Sequence, residues 1–221
     1  MKQIFIEAKA KIESINLAKK DINKLPKRVG LVSTIQFVDS VKDIKKILEK
    51  NKKKCVLGRG RQRYKPQILG CEFSAAGNVK EKVDAFLYVG SGDFHPIGIA
   101  LNTGKRVFCF NPAFNSFSEI KEKEIERIRK KRKGALVKFI SSKKVGILVS
   151  TKPGQQNLKL AVKMKKKLKE KGKEGFIFLF NTLDDIQLEN FPFVECWVNT
   201  ACPRISDSIL TVKGLQDSHF F

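Results

Sequence analysis

The run Arg28-Val29-Gly30-Leu31-Val32-Ser33-Thr34 decides the fold of this chain, because it is repeated further along as Lys144-Val145-Gly146-Ile147-Leu148-Val149-Ser150-Thr151. Each run has a basic residue, an uninterrupted apolar stretch and a Ser-Thr pair at its end. Short apolar runs of this kind are typical of strands buried on both faces of a parallel sheet. The repeat therefore predicts two similar units, each built around a buried parallel strand.

Apolar residues at helical spacing follow both runs. The first set is Phe37, Val38, Val41, Ile44 and Leu48, and the second is Leu158, Ala161, Met164 and Leu168. A further apolar run follows each helix, at residues 54–57 and 176–180. Strand, helix and strand in this order form right-handed βαβ crossovers. The predicted fold class is α/β, with two related parallel-sheet βαβ domains.

We place the first of these domains at residues 25–112 and the second at residues 143–221, joined by residues 113–142. In the connector, acidic residues come early and basic residues come late. Because this order suits the helix dipole, we predict a helix over residues 118–142 with Ser118 at its N-cap.

Residues 1–24 belong comfortably to neither domain. The pattern predicts a strand at residues 3–8 and a short helix at residues 12–21, so the strand has no sheet of its own. Such a strand needs partners for its backbone groups, from a neighbouring domain or from another chain. We therefore interpret residues 1–24 as the remnant of a further domain and expect a segment upstream of it.

The composition indicates a soluble globular protein with a net charge of +23. With 42% hydrophobic residues among 221, the chain can bury a substantial core, and no apolar stretch approaches the length of a membrane span. The charge raises the alternative of an RNA-binding protein. The lysines, however, crowd the polar faces of predicted helices without interleaved aromatic residues, so we expect no direct nucleic-acid partner. We expect a cytoplasmic protein whose charge attracts an acidic or RNA-associated partner.

Five widely spaced cysteines without a CxxC pair indicate neither a disulfide framework nor a zinc ribbon. Cys71 and Cys202 each close a short apolar run at the mouth of a predicted strand. Such loop ends are where α/β sheets bind ligands, so both are candidate ligands of a shared cluster. The alternative is a small buried apolar residue without chemistry.

A glycine loop follows the predicted strand at residues 85–89. Its candidate site residues are Gly90, Ser91, Gly92 and His95. The GxG spacing resembles the start of a dinucleotide fingerprint, but His95 stands where a third glycine belongs. His95 either forms loop hydrogen bonds or meets a substrate.

The second unit has two further candidate residues. Gln155, in the strand-to-helix turn, could hold a polar ligand such as an amino acid carboxylate, and helix capping is its alternative role. Arg204 could clamp a carboxylate or phosphate, and an ordinary surface cation is its alternative.

Four motifs in this order resemble the diphthamide-synthesis family, the 2-(3-amino-3-carboxypropyl)histidine synthases. They are GRGRQRYKPQILGCEFSAA at residues 58–76, VGSGDFHPIG at 89–98, TGKRVFCFNP at 103–112 and VNTACPRI at 198–205. The resemblance implies three similar α/β domains, each giving one cysteine to a 4Fe–4S cluster that binds S-adenosylmethionine. It also implies transfer of the 3-amino-3-carboxypropyl group, through a carbon radical, to a histidine of translation elongation factor 2.

The resemblance carries over residue by residue. Cys71 matches the ligand of the second domain and Cys202 that of the third, whereas Cys55, Cys109 and Cys196 match no ligand. Gly90, Ser91, Gly92 and His95 fall on the loop near the cofactor, Gln155 on the third-domain turn and Arg204 beside the last ligand. Their individual roles do not follow from the resemblance.

This chain departs from the family pattern because it begins at what resembles the last strand and helix of the first domain. We therefore expect the third cysteine from a separately encoded first domain, in a homodimer or heterodimer that also uses an electron donor. The alternatives are a truncated fragment and a noncatalytic companion subunit that binds an active synthase or elongation factor 2.

Overall fold

A computed structural model describes residues 6–206 and 208–217 of the chain. It divides into two compact units, Met1–Ile125 and Glu126–Phe221. Each unit contains a largely parallel sheet and a hydrophobic core of its own, which confirms the predicted α/β class. Among the described residues, no helix combines the length and apolar character needed to cross a bilayer.

The first unit contains a five-stranded sheet. Its elements are α1 (Lys19–Lys24), β1 (Arg28–Ser33), α2 (Ser40–Lys50), β2 (Lys54–Leu57), α3 (Ser74–Gly77), β3 (Ala85–Val89), α4 (Phe94–Thr103), β4 (Arg106–Asn111) and β5 (Ser116–Glu119), with short 3₁₀ helices at Ile35–Phe37 and Lys80–Lys82. The strand order is β2-β1-β3-β4-β5, in which β5 runs antiparallel to β4 and the other pairs are parallel.

The second unit contains a four-stranded parallel sheet. Its elements are β6 (Lys144–Ser150), α6 (Leu158–Glu170), β7 (Glu174–Phe180), a 3₁₀ helix (Asp185–Asn190), β8 (Cys196–Asn199), β9 (Leu210–Thr211) and α7 (Val212–Asp217). The strand order is β7-β6-β8-β9. Helix α5 (Glu122–Ser141) precedes β6 and contains the unit boundary.

In both sheets a glycine lies opposite an aromatic residue of the neighbouring strand. Gly30 of β1 pairs with Phe86 of β3, and Gly146 of β6 pairs with Trp197 of β8. A Cβ atom would lie 2.5 Å from the Phe86 ring at Gly30 and 2.3 Å from the Trp197 ring at Gly146. The ring thus fills the place of the missing side chain. A slip of one residue would move it to the other face, so this pair fixes the register.

In both units, the turn between a helix and the next strand contains a lysine that donates to carbonyls at the end of an earlier helix. Lys53 Nζ donates to the carbonyl that follows α1, and Lys173 Nζ donates to three carbonyls at the end of α5. A cation there satisfies terminal carbonyls and complements the helix dipole. The preceding residue has positive φ in both turns, 60° at Lys52 and 71° at Gly172. The internal repeat therefore extends to these turns.

The N-terminal segment differs from the prediction. The strand predicted at residues 3–8 lies partly outside the described residues, and residues 6–18 form no regular element. The helix predicted at residues 12–21 is wrong in its bounds, because α1 begins only at Lys19. Ile12 and Ile15 pack against the core of the first unit in non-helical backbone. Their apolar character reflects contact with that core and not a helix face.

The helix predicted to start at Ser118 starts later, at Glu122. Ser118 belongs instead to β5, which pairs with the edge of β4. Phe117 gives the reason, since it packs against the core of the first unit and its ring lies 5.7 Å from that of Phe108. Strand pairing and this core contact outweigh the local N-cap preference of the serine.

Replacing Gly30 or Gly146 by alanine is expected to lower the free energy of unfolding by about 1–3 kcal/mol, because the methyl group would overlap the facing ring. Urea denaturation of each variant measures the change. Gly134→Ala in α5 is the matched control, since a Cβ atom there meets nothing within 4 Å. This control should gain up to about 1 kcal/mol from helix propensity. Unchanged stability of the first two variants would contradict the packing role.

Candidate functional site

Cys71 lies at the tip of a tight turn in the first unit. Leu69 N donates to Glu72 O at 3.0 Å and Glu72 N donates to Leu69 O at 3.2 Å, which makes Cys71 one of the two central residues of the turn. The chain before the turn is held at the carboxyl end of β1, where Ile68 N donates to Ser33 O at 2.9 Å. The Cys71 side chain is exposed and is therefore available to a ligand.

The glycine loop, residues 90–93, lies beside this turn. It joins β3 to α4, and the Phe94 ring at the start of α4 lies against Gly70, where a Cβ atom would be 2.5 Å from the ring. Gly92 has a φ of 68°, which glycine adopts without strain. The first unit therefore brings together the predicted site residues Cys71, Gly90, Ser91, Gly92 and His95.

Tyr88 supports the glycine loop and was missed as a site residue by sequence reasoning. Its hydroxyl lies 3.4 Å from both Ser91 O and His95 Nδ1, and its ring stacks on His95 with centroids 5.7 Å apart. A Cβ atom at Gly90 would lie 2.4 Å from the phenol. Burial raises the pKa of Tyr88 to about 12, so the phenol stays neutral. The sequence signal that could have identified Tyr88 is its position two residues before Gly90, where its ring can lie against the glycine.

In the second unit Cys202 lies in a turn shortly after β8. Asn199 Nδ2 donates to Cys202 O at 2.7 Å, and Ala201 N donates to Asn199 Oδ1 at 2.8 Å. Ile205 N also donates to Cys202 O at 3.2 Å. These hydrogen bonds fix the backbone of the turn, and the cysteine itself is half-buried.

Asn157 connects this turn to the predicted Gln155 loop. Its Nδ2 donates to Thr200 O at 2.8 Å and to Gln155 O at 3.5 Å. Asn157 stands at the N-cap position of α6, where asparagine is common for local reasons, so its role between loops gave no sequence signal. The loops of Gln155 and Cys202 are therefore neighbours, and the half-buried Arg204 lies in the same turn as Cys202.

The other three cysteines lie in strands, Cys55 in β2, Cys109 in β4 and Cys196 in β8. Burial raises the pKa of Cys109 to about 12 and the pKa values of Cys55 and Cys196 to about 11. Such thiols keep their proton at neutral pH, whereas metals are bound by thiolates. These three side chains are suited to packing and not to metal binding.

No three His, Cys, Asp or Glu side chains within residues 6–206 and 208–217 form a group that could hold a metal ion. Cys71 and Cys202 belong to different units. Each of these two cysteines lies on a turn beside a loop of small or polar residues, and a thiolate is a suitable donor for iron. Each unit thus places one of the two candidate cysteines on a turn outside its sheet.

Known proteins with similar sequences identify the family of this chain. The family model for diphthamide synthesis proteins matches residues 1–208. The chain belongs to the diphthamide synthesis family. The resemblance found from the four motifs is thereby confirmed.

Two relatives in this family are named 2-(3-amino-3-carboxypropyl)histidine synthase. The protein from Pyrococcus horikoshii is 35% identical over 207 residues, 91% of this chain and 58% of the relative. The protein from Methanocaldococcus jannaschii is 37% identical over 200 residues, 88% of this chain and 51% of the relative. The chain thus spans about half the length of the curated relatives it matches.

The fold is also that of a solved family member. The crystal structure of Dph2 from Pyrococcus horikoshii with a 4Fe–4S cluster matches with a TM-score of 0.74 and 34% identity. The match covers 90% of this chain and 58% of that chain.

At pH 8, iodoacetamide is expected to modify Cys71 first and Cys202 next, and the three strand cysteines only after unfolding. The reason is that Cys71 is exposed, whereas burial keeps the strand thiols protonated. Mass spectrometry after short reaction times measures the order, and the chain unfolded in guanidinium chloride is the control. Modification of Cys109 or Cys196 ahead of Cys71 in the folded chain would contradict this assignment.

Asn157→Ala is expected to speed alkylation of Cys202 by roughly fivefold, because losing a hydrogen bond worth about 1 kcal/mol favours opening of the turn. The rate at Cys71, in the other unit, should not change and serves as an internal reference. Asn78→Ala is the matched control, since it removes an asparagine hydrogen bond to Arg59 O in the first unit. An unchanged rate at Cys202 would show that Asn157 does not hold the turn.

Proposed function

We propose that this chain takes part in the first step of diphthamide biosynthesis, transfer of the 3-amino-3-carboxypropyl group of S-adenosylmethionine to a histidine of translation elongation factor 2. The family and the names of its relatives support this proposal. The observation that carries it is the contrast among the five cysteines. The two that match family ligands lie on turns, and the other three lie in strands with raised pKa values.

Cys71 and Cys202 are the proposed protein ligands of a 4Fe–4S cluster. Cysteine thiolates are the usual ligands of such clusters, and the Dph2 structure from Pyrococcus horikoshii contains one. When bound, the cluster supplies the electron that cleaves the bond between the sulfonium and the aminocarboxypropyl group. The proposed third thiolate comes from a polypeptide segment other than residues 1–221.

The other site residues are proposed to bind and orient S-adenosylmethionine. Gly92 leaves open space for a ligand to approach the backbone, whereas Gly90 makes room for the Tyr88 phenol. Tyr88 in turn holds the ring of His95 beside the loop. Arg204 and Gln155 are suited to the amino acid end of the molecule, because a guanidinium group binds a carboxylate with two parallel hydrogen bonds.

The proposed working form includes other chains. Elongation factor 2 is the protein substrate, a first-domain polypeptide completes the ligand set, and an electron donor reduces the cluster. Several relatives are named as subunit 1 of the synthase, which supports a multi-subunit assembly, here a homodimer or a heterodimer. The proposed location of this assembly is the cytoplasm.

A noncatalytic companion subunit is the second candidate function. It is favoured by one observation, that the described residues contain no group of three metal-binding side chains. Such a subunit would bind an active synthase or elongation factor 2 without holding a cluster. Iron binding distinguishes the two candidates.

Anaerobic reconstitution is expected to load the chain with iron and sulfide and to give an EPR signal that S-adenosylmethionine shifts. Cys71→Ala and Cys202→Ala should each lose most of the iron, because the cluster loses a thiolate. Iron and sulfide analysis and EPR measure both effects.

Cys55→Ala is the matched control and should keep its iron, because the raised pKa of Cys55 makes it a poor ligand. Iron content that is unchanged in both ligand variants would contradict the assignment of Cys71 and Cys202. Wild-type chain that takes up no iron, alone or with a first-domain polypeptide, would favour the companion subunit.

A further inference from the structure

The longest stretch of this basic chain without lysine or arginine lies in the second unit. Between Lys173 and Arg204 the sequence has neither lysine nor arginine, although the chain as a whole carries 45 of them. The acidic residues of this segment are Glu174, Asp184, Asp185, Glu189 and Glu195. The segment is therefore a local negative region on a protein with a net charge of +23.

The same segment builds an aromatic cluster on the sheet of the second unit. The Phe178 ring lies 4.7 Å from the Phe191 ring and 4.8 Å from the Trp197 ring, and Phe176 lies 5.1 Å from Phe193. Phe191 and Phe193 are 36% and 44% exposed. Because both faces of parallel sheets are normally covered, an aromatic layer left partly open on such a sheet favours a partner.

A cavity of about 310 Å³ lies beside this cluster, with Phe191 and Trp197 in its lining. Phe191, Trp197, Leu188 and Ile209 give it apolar walls, and Asp185, Glu189 and Lys138 also line it. This volume suits one large side chain better than the face of a helix. The walls therefore favour a single bulky apolar group as the occupant.

The acidic residues of the segment divide by their contacts. Asp184 accepts from Ile186 N, and Glu195 accepts from the backbone N of Lys143 and Lys144, which lowers the pKa of Glu195. These two carboxylates accept hydrogen bonds from backbone N–H groups within the second unit. The two in the cavity lining are different: Asp185 accepts from the Ser206 hydroxyl at 3.2 Å, and both Asp185 and Glu189 are exposed at the cavity.

We propose that this cavity binds an extended basic segment of a partner protein, which inserts one aromatic or large aliphatic side chain between Phe191 and Trp197. Lysine or arginine residues flanking that side chain pair with Asp185 and Glu189, and charge complementarity selects the basic partner. The surface involves the first half of β8, whereas Cys202 follows the end of that strand. The proposal is independent of the proposed function.

Trp197 is the single tryptophan of the chain and lines the cavity, so its fluorescence reports occupancy. Titration with the peptide acetyl-Lys-Lys-Phe-Lys-Lys-amide is expected to change the emission saturably, with weaker binding at high salt. Peptides with glutamate in place of lysine, or alanine in place of phenylalanine, should bind at least several-fold more weakly. No saturable change, or equal binding of the three peptides, would overturn the proposal.

The double variant Asp185→Asn/Glu189→Gln should weaken peptide binding by roughly tenfold, since two paired charges are lost. Glu126→Gln/Glu170→Gln removes the same charge from exposed positions outside the segment and should bind as the wild type. Equal loss in both double variants would overturn a specific site.

Emission that changes with protein concentration alone, together with a dimer in sedimentation, would identify a second copy as the occupant and also overturn the proposal. Because the assay needs no iron, its failure is distinguishable from failure of cluster binding.

Discussion

In both units, the register of the sheet depends on the contact of a glycine with an aromatic ring on the next strand. Gly30 with Phe86 and Gly146 with Trp197 join an interior strand to its neighbour at one register. With that register set, the strands end together at one edge of each sheet, and the loops that follow them start from fixed positions.

The chemistry of the cysteines follows from where the strands stop. Cys109 lies inside a strand, where burial keeps its thiol protonated, whereas Cys71 lies on a turn held by backbone hydrogen bonds to the end of β1. The same residue type is thus a packing group in one place and a candidate ligand in the other. Tyr88 and Asn157 have a third role, because they form hydrogen bonds to the loops beside the two candidate ligands and are not themselves candidate ligands.

Periodicity was sufficient for elements whose apolar residues form one regular run or stripe. The strands β1 and β6 and the helices α2 and α6 could be predicted, because an apolar run or stripe reports burial directly. Ser118 and the helix at residues 12–21 could not, since contacts with a distant core decide their conformation. The candidate ligands Cys71 and Cys202 came from their places at strand ends and from the family motifs. The cavity beside Trp197 had no local pattern because it is assembled from several separate segments.

The uneven burial of the five thiols also determines the order in which oxygen oxidises the cysteines of the folded chain. Oxidation to sulfenic acid requires access to the sulfur, so damage begins at the exposed Cys71 and spares the buried, protonated sulfurs inside the sheets. Neither hydrophobic core loses a packing group in that reaction. Oxidation by air therefore reaches a candidate ligand before it reaches the packed cores, and the sulfenic acid that forms first can be reduced by a thiol.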